Sequence, residues 1–290
     1  MQITALCRWL YINFSGKSIQ NIQHSLTHNL EELSDWLIDN KLSLHLGKTE
    51  SILFSSRSKL KTQSKLQVSC GNVKIDPQEH ITYLGALISQ DLSGETMANN
   101  IIKKANAKLK YLYRQCKFLP SETKRTLASA LILCHFDYAS CSWYSPLSQG
   151  TKNKLQICQN KVIRFILGLG PRSHIGAKEF EKVNWLPINL RVEQIKLNHM
   201  FKIFNTTAPS YLCNLKPTQE IHKHNTRHSK ASLRCHEQKS PSFSYTGTIL
   251  WNNLPNHIQS IQTLSKLKTS VKKHLTSKLF LMEKSEFVYF

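Results

Sequence analysis

The chain has 290 residues, 40% of them hydrophobic, and carries 39 lysines and arginines against 18 aspartates and glutamates, a net charge of +21. This length and apolar content suffice for a buried core in one to three domains. The sequence argues against a membrane-spanning helix, because it contains no run of about 18 apolar residues. Its N-terminus lacks the pattern of a signal peptide, so we expect an intracellular protein with no membrane partner.

The positive charge is spread along the chain. Residues 1–170 carry a net charge of +10 and residues 171–290 one of +11. Because each phosphate that a lysine or arginine neutralises releases counterions, a polyanion is the natural partner of such a chain, and we expect nucleic acid. The alternative is that the charge serves solubility alone.

Eight cysteines stand at irregular spacings, and none forms a C-x-x-C pair. This usage is typical of reduced thiols in an intracellular protein. One group in the C-terminal third could supply zinc ligands: Cys213, His222, His224, His228, Cys235 and His236. Its spacing matches no compact zinc finger, so we interpret it as a basic loop with scattered histidines and expect no metal.

Residues 18–40 predict the first helix, because apolar residues recur there at steps of three and four. Its apolar face comprises Ile19, Ile22, Leu26, Leu30, Leu33, Trp36 and Leu37. Ser18 is positioned to cap the start of the helix, and Asn40 to close its end in a left-handed conformation.

Short strands are predicted after this helix. Residues 42–54 alternate between leucine and polar residues and end in a short apolar run, which favours strands. The polar and basic residues 57–65 indicate a hairpin loop. Residues 66–75 predict two strands around a Cys-Gly-Asn turn, and residues 80–89 predict another apolar strand. We therefore expect residues 1–92 to form one helix packed on a small antiparallel sheet.

The pattern then becomes helical. Residues 95–118, 121–144 and 151–168 each have helical periodicity. Their short connections predict a compact helical bundle over residues 93–170.

Residues 171–290 form the third predicted region. Helical spacing over residues 176–205 is broken at residues 185–187, and residues 215–247 are polar and basic. Residues 249–280 return to apolar spacing and end in a basic amphipathic helix. The predicted fold class is α+β: a small antiparallel sheet with a helix, then a helical bundle, then a mostly helical C-terminal region.

The segment WLIDNKLSLHLGKTESILF at residues 36–54 resembles motif D, a strand-and-turn element of reverse transcriptases from LINE-type (non-LTR) retrotransposons. HITYLGALI at residues 80–88 resembles their next element, motif E or the primer grip. Later segments resemble the thumb of these enzymes (CHFDYASCSWY and LQICQNKVIRFILG) and the region downstream of it (WLPINLRVEQIKLNHMFKIFN and SFSYTGTILWNNLPNHI). The resemblance covers nearly the whole chain, and the order of the segments makes it specific.

The resemblance implies a C-terminal fragment of an RNA-directed DNA polymerase. Residues 1–92 would be a remnant of the polymerase palm, residues 93–170 the thumb, and residues 171–290 the C-terminal basic region. The implied partners are RNA and DNA, as a template–primer duplex. The ancestral enzyme would use Mg²⁺ and deoxynucleotides; for this chain we expect no cofactor.

Two positions of the palm remnant match functional positions of that family. Lys48 matches the motif D lysine, which lies near the pyrophosphate leaving group and can donate a proton or stabilise charge there. Tyr83, Leu84 and Gly85 match the primer grip, a tight apolar turn that supports the primer backbone. The residues alone also allow plainer interpretations, with Lys48 as a solvated turn lysine and the other three as a buried strand with a turn glycine.

The first helix of the predicted bundle carries a basic stripe: Lys103, Lys104, Lys108, Lys110, Arg114 and Lys117. Tyr111 and Tyr113 lie among these residues. In a thumb such a helix grips the backbone of a template–primer duplex, so we expect phosphate contact rather than base reading; a solvated helix face is the alternative. A second basic helix comprises Lys266, Lys268, Lys272, Lys273 and Lys278. This helix could bind RNA, a membrane surface or nothing, and of these we favour contact with RNA.

The metal-binding aspartates of the family are missing from the positions where the resemblance places them. Arg8 and Trp9 stand where the family has the two aspartates of its Y-A-D-D hairpin, and neither side chain can ligate Mg²⁺. Asp137 is interpreted as a buried, paired acid, and the acids of the first helix as a solvated face. We therefore predict that this chain alone is inactive as a polymerase. The alternative is a non-enzymatic basic protein that binds nucleic acid or another protein.

Overall fold

The computed structural model describes residues 2–6, 9–62, 66–116, 118–205, 233 and 242–286. The chain divides into two compact units, unit 1 (Met1–Leu92) and unit 2 (Ser93–Phe290). The described residues are mostly helical with small antiparallel sheets, which is compatible with the predicted α+β class. The predicted regions 93–170 and 171–290 both lie in unit 2.

Unit 1 consists of short strands and two helices. Its elements are β1 (Gln2–Leu6), β2 (Trp9–Asn13), α1 (Ile19–Asp39), a 3₁₀ turn (Leu46–Lys48), α2 (Arg57–Thr62), β3 (Val68–Cys70), β4 (Val73–Ile75), β5 (His80–Tyr83) and β6 (Ala86–Ser89). The strands pair in sequence order as three antiparallel two-stranded sheets. The pairing places Leu6 opposite Trp9 and Tyr83 opposite Ala86, so these hairpins are tight.

The core of unit 1 lies between α1 and the β3–β4 hairpin. Its buried residues are Leu30, Leu66, Val68, Cys70 and Ile75. Other inward residues of α1 surround this core and are partly buried. The predictions of this helix and of the hairpin at residues 66–75 are thereby confirmed. The apolar face ends earlier than predicted, because the side chain of Trp36 is 57% exposed.

The end of α1 differs from the prediction. Asn40 has a φ of −89°, whereas Lys41 has a φ of +57°. The Lys41 N–H donates to the Ile38 carbonyl (2.9 Å), and the Leu42 N–H to the Leu37 carbonyl (2.8 Å). This pair of hydrogen bonds is a Schellman motif, which requires the left-handed conformation at the first residue past the C-cap. That residue is Lys41 rather than Asn40.

Residues 42–54 do not form the predicted strands. Leu46–Lys48 make one turn of 3₁₀ helix, and Ser51 makes a single bridge with Pro77. Three leucines of this segment, Leu44, Leu46 and Leu53, still pack against the core of unit 1, whereas Leu42 is exposed. Their alternation therefore reflects burial of one side of an irregular segment that has no partner strand.

Two further predictions were wrong. Residues 57–62 are not a loop: Arg57–Thr62 form α2, with a serine side chain accepting from a backbone N–H of the first turn. Residues 63–65 lie outside the described residues. Residues 80–89 form a hairpin rather than a single strand. Leu84 and Gly85 make its turn with φ values of +47° and +82°. Two successive residues with positive φ are typical of the type I′ turn, which reverses the chain in two residues.

Unit 2 is built from helices. They are α3 (Glu95–Gln115), α4 (Ser121–Ala128), a π-helical segment (Ser129–Leu133), α5 (Cys134–Asp137), α6 (Ser140–Trp143), α7 (Gln149–Leu167), α8 (Ala177–Lys182), α9 (Ile188–Phe204), α10 (Phe243–Asn252), α11 (Asn256–Gln259) and α12 (Leu264–Glu286). The predicted helix over residues 121–144 is interrupted near Ala139, whose φ is +50°. The break at residues 185–187 is confirmed and separates α8 from α9, and α12 is the predicted basic helix. Within the described ranges, no helix has the length and apolar character needed to cross a bilayer.

The predicted bundle and the C-terminal region pack together in unit 2. The Gln159 side chain on α7 donates to the Leu186 carbonyl (2.9 Å), and Gln156 accepts from the Ile188 N–H (3.0 Å). These bonds hold α7 against the start of α9. Helices α9, α10 and α12 then enclose a core that includes Leu197, Met200, Trp251, Leu267 and Val271.

The six residues considered as zinc ligands, from Cys213 to His236, lie outside the described residues. So does most of the polar segment 215–247. The interpretation of this segment as a basic loop stays a prediction.

Candidate nucleic-acid interface

Helices α3 and α7 lie side by side and run in the same direction. Near their N-terminal ends, Glu95 accepts hydrogen bonds from the Ser148 N–H (3.0 Å) and the Thr151 hydroxyl (2.5 Å). Near their C-terminal ends, the rings of Tyr113 and Phe165 meet edge-on with centroids 4.8 Å apart. Contacts at both ends fix a groove along the two helices.

Helix α3 is anchored at its start by a glycine. Gly94 precedes the helix with a φ of +72°, a backbone conformation that residues other than glycine rarely adopt. A Cβ at this position would collide with the carbonyl oxygen of Trp143 at the end of α6. The close approach of α6 to the start of α3 therefore requires glycine there.

One face of α3 carries three exposed basic residues. Lys103, Lys110 and Arg114 follow each other at steps of seven and four residues. This spacing places them on one face, opposite the buried residues of the helix. The structure thus presents this part of the predicted stripe to solvent. Lys117, the last predicted member, lies outside the described residues.

Lys104 and Lys108 lie on a second face of α3, beside His135. Burial, followed by the positive charges of these two lysines, lowers the pKa of His135. The imidazole is therefore neutral near pH 7 and adds no charge to this face. The stripe predicted from the sequence is thus two stripes on different flanks of one helix.

Helix α7 supplies the other wall of the groove. Lys154, Ile157 and Lys161 recur there at steps of three and four residues, and all three are exposed. Together with Asn99, Ile102, Asn106 and Cys158 they line an open pocket of about 220 Å³. The sequence analysis missed these lysines. Their spacing on α7 was a usable signal, but only the packing shows that they face α3.

The groove has positive charge that acidic residues do not offset. Within the part of the chain that the structure describes, no carboxylate forms an ion pair with a lysine or arginine of either wall. Helix α7 contains no acidic residue, and the single one of α3, Glu95, already accepts two hydrogen bonds. Such a surface raises the local concentration of phosphate groups.

Two exposed tyrosines lie among the lysines of α3. Tyr111 is 56% exposed and Tyr113 is 45% exposed. Tyr113 follows Asn106 by seven residues, so it lies along the groove. Burial raises the pKa of Tyr113, against the opposing effect of Arg164. The ring therefore stays uncharged and offers apolar surface beside the basic residues.

Lys48 lies in unit 1, at the end of the 3₁₀ turn, with its side chain exposed. Its N–H donates to the His45 carbonyl (2.9 Å), and the Thr49 hydroxyl donates to the same oxygen (3.1 Å). These are the contacts of a backbone turn. The catalytic role that the resemblance implies for Lys48 stays a prediction.

The residues matched to the primer grip form the tip of the β5–β6 hairpin. Leu84 is 50% exposed at the turn, and Gly85 is exposed beside it. The ring of Tyr83 lies 4.4 Å, centroid to centroid, from that of Tyr11 on β2. Burial, and then the neighbouring Tyr83, raise the pKa of Tyr11. Tyr83 therefore ends strand β5, and Leu84 and Gly85 form an exposed turn rather than part of a buried strand.

The acidic residues outside the groove are paired or solvated. Asp137 accepts two hydrogen bonds from Arg191, at 2.9 and 2.8 Å, which confirms that this acid is paired. Its side chain is partly exposed rather than buried as predicted. Donating a hydrogen bond to Asp137 also raises the pKa of Arg191. The acids of α1 are exposed, as predicted: Glu31, Glu32, Asp35 and Asp39.

The residues at positions 8 and 9 do not fit a Mg²⁺ site. An arginine is a cation without an acceptor atom, and an indole offers only an N–H donor. Mg²⁺ needs carboxylate or other oxygen ligands. The described residues include no group of three or more His, Cys, Asp or Glu side chains that could hold a metal ion.

Part of the charge on α12 serves the fold. Lys272 donates to the carbonyl (2.8 Å) and side-chain oxygen (2.6 Å) of Asn184, and Lys278 forms an ion pair with Glu193 (3.0 Å). The remaining predicted residues, Lys266, Lys268 and Lys273, are exposed. Helix α12 thus presents less free charge than its sequence indicates.

Comparisons with protein-family models, with curated proteins and with solved structures found no match to this chain.

Proposed function

We propose that this chain binds nucleic acid through the groove between α3 and α7, and that it is related to the C-terminal part of non-LTR retrotransposon reverse transcriptases. The observation that carries the binding proposal is the uncompensated positive charge of the two helices that form the groove: Lys154 and Lys161 of α7 line its pocket, and three basic residues of α3 lie exposed beside it. The ordered series of family-like segments supports the relationship. In this proposal unit 1 is a palm remnant, and α3 to α7 form a thumb.

The hairpins of unit 1 support the same relationship. Strands β1 and β2 pair with Leu6 opposite Trp9, at the place where the resemblance puts the Y-A-D-D hairpin. The β5–β6 turn carries Tyr83, Leu84 and Gly85, matched to the primer grip, a turn in that family. A relative that kept these backbone turns after losing the aspartates would have this arrangement.

The proposed protein holds a template–primer duplex without extending it. Nucleotide transfer of this kind needs two metal ions held by carboxylates, and Arg8 and Trp9 cannot hold them. Purified full chain, mixed with a template–primer, deoxynucleotides and Mg²⁺, should give no extended primer. Mg²⁺-dependent synthesis by the purified chain would overturn this part of the proposal.

Binding is tested by fluorescence anisotropy with a labelled RNA–DNA duplex and the full chain. The logarithm of the binding constant should fall linearly with the logarithm of the salt concentration, because binding releases counterions. With three to five phosphate contacts, we expect a slope of about −3 to −4.5. Absence of binding at low salt would contradict the proposal and favour the protein-interaction alternative.

A triple variant that removes three positive charges from α3 locates the interface. Replacing Lys103, Lys110 and Arg114 by glutamine should weaken duplex binding and reduce the steepness of the salt dependence by about 2 to 3. The matched control replaces three exposed lysines of unit 1, with the same loss of charge: Lys59, Lys61 and Lys74. The control should leave the slope unchanged. Equal losses in the two variants would mean that binding depends on net charge and not on the groove.

A further inference from the structure

The groove contains a pocket whose lining differs from a plain phosphate-binding surface. Its volume is about 220 Å³, room for one heterocyclic base. Lysines alone would suffice to hold a polynucleotide backbone. Besides lysines, the lining of this pocket contains two amide side chains, Asn99 and Asn106, and two isoleucines, Ile102 and Ile157.

Ile157 is the apolar wall of the pocket on α7. It is 53% exposed, whereas Ile163 and Ile166 on the same helix are buried almost completely. Ile157 stands between Lys154 and Lys161, one turn from each. An apolar platform flanked by two cations suits a ligand that has a flat apolar face and a phosphate on either side.

The polar groups at the pocket are mainly donors. Lys154 and Lys161 have donor atoms only. The side-chain oxygen of Asn106 accepts from the thiol of Cys158 at 3.7 Å, which leaves the amide NH₂ group to donate. A base with acceptor oxygens at its edge therefore fits this lining better than one that presents an amino group.

We propose that this pocket binds one unpaired nucleotide of a single-stranded polynucleotide. The base lies against Ile157, its edge accepts from Asn106, and the adjoining phosphates contact Lys154 and Lys161. The inference rests on the proposed function, since it assigns the substrate class of the same groove. Bases inside a duplex are stacked and paired, so only an unpaired base can enter the pocket.

The test compares single strands with a duplex. Anisotropy is measured with the full chain and labelled oligonucleotides of about 15 nucleotides: oligouridine, oligoadenosine, oligothymidine and an RNA–DNA duplex. Replacing Ile157 by serine should weaken binding of the single strands by about fivefold, because serine removes the apolar surface that the base covers, and leave duplex binding unchanged. The matched control is Ile38→Ser, because Ile38 is 64% exposed and lies in unit 1.

The base preference gives a second readout. Uracil and thymine present two carbonyl oxygens, whereas adenine presents an amino group. We therefore expect oligouridine and oligothymidine to bind more tightly than oligoadenosine, and Asn106→Leu to reduce this preference. Similar affinities for the RNA and DNA strands would show that the pocket takes the base and phosphate shared by both.

The possible failures are distinguishable. One failure concerns the pocket alone. Ile157→Ser would then weaken the binding of duplex and of single strands equally, or would weaken neither, while the α3 triple variant still weakens the binding of duplex and single strands. This result would overturn the pocket inference and leave the proposed function standing. If no oligonucleotide binds at low salt, the proposed function itself is wrong. A loss of binding in Ile38→Ser equal to that in Ile157→Ser would also overturn the pocket inference.

Discussion

Units 1 and 2 differ in how much apolar surface each one buries. Among the described residues, five hydrophobic side chains are buried in unit 1 and 37 in unit 2, although unit 1 has 92 of the 290 residues. Each unit exposes nine large hydrophobic side chains. Unit 2 is therefore held by a continuous core, whereas unit 1 depends on a few contacts around one helix.

The β-structure of unit 1 explains its small core. Each of its described strands has one hydrogen-bonded neighbour, because all three sheets are two-stranded. An isolated two-stranded hairpin is only marginally stable in water, and its open edges are able to pair with other chains. The β3–β4 hairpin gains support from α1, which packs on it. We therefore place the proposed nucleic-acid binding in unit 2, whose surface rests on the larger buried core.

The largest expected effect contrasts the two cores. Ile163→Ala in unit 2 should lower the free energy of unfolding by about 3 to 4 kcal/mol, because Ile163 is fully buried and the cavity cannot collapse. Leu30→Ala in unit 1 should cost about 2 kcal/mol, since its smaller core relaxes more easily. Urea denaturation monitored by hydrogen exchange measures the unfolding of each unit separately. An equal or larger loss for Leu30→Ala would break the comparison.

Two glycines with a left-handed backbone conformation extend the comparison between the two units. Gly94→Ala in unit 2 should cost about 3 kcal/mol or more, because the new Cβ adds a collision with the Trp143 carbonyl to the strain of a positive φ. Gly71→Ala in the β3–β4 turn should cost about 1 kcal/mol, because its φ is +55° but no atom lies within 4 Å of the new Cβ.

Thermal unfolding of the two glycine variants measures this difference. Gly94→Ala should also weaken duplex binding, because the collision displaces the start of α3 in the groove. Equal costs at the two positions would show that α6 does not approach α3 as closely as the structure has it.

A pH profile addresses the interior of unit 2. Burial raises the pKa of the Cys141 thiol from 9.0 to about 11, with Lys196 opposing the shift. The folded pKa lies above the unfolded one, so this contribution is fully present below pH 9 and is lost as the pH rises to about 11. At about 1.4 kcal/mol per pKa unit, the loss is about 2 to 3 kcal/mol.

The control for this profile is Cys141→Ala, which should flatten the decrease between pH 9 and pH 11. Tyr144, whose pKa burial raises to about 12, should still lower stability above pH 10. Lys196 acts in the opposite sense, because burial lowers its pKa and stability then increases as the pH rises toward 10.5. A decrease between pH 9 and pH 11 that is unchanged in Cys141→Ala would assign it to other groups.

Long periodic segments could be predicted from the sequence, and short ones could not. The helices at residues 18–40 and 176–205 follow apolar steps of three and four over many residues, so each local choice agrees with the next. Residues 42–54 and 57–65 are short, and their structure depends on what packs against them. Leu44, Leu46 and Leu53 of the first segment are partly buried although they have no partner strand, and alternation alone cannot distinguish this arrangement from a strand.

Part of the candidate site could likewise be predicted from the sequence, and part could not. The lysines of α3 are visible in the sequence because charge and helical spacing are local properties. The wall formed by Lys154 and Lys161 is not, because it depends on which helix packs beside α3. The packing of α7 beside α3 depends on contacts between residues more than 50 positions apart, such as the hydrogen bond between Glu95 and Thr151. Neither wall alone forms the pocket.

The smallest expected effect on stability comes from replacing exposed aromatic residues. These replacements distinguish the two units by their tendency to self-associate. Trp36 in unit 1 and Tyr111 in unit 2 are 57% and 56% exposed, so replacing either by glutamine should change stability by less than about 0.5 kcal/mol. Their neighbours differ. Trp36 precedes the exposed Ile38 and Leu42 at the end of α1, whereas Tyr111 lies between basic residues.

An exposed apolar patch favours self-association, and positive charge opposes it. Trp36→Gln should therefore reduce the light scattering of concentrated protein at moderate salt, while Tyr111→Gln should leave it unchanged. Equal scattering in both variants would mean that the exposed apolar residues of unit 1 do not drive association. The small core of unit 1 would then be a matter of stability alone.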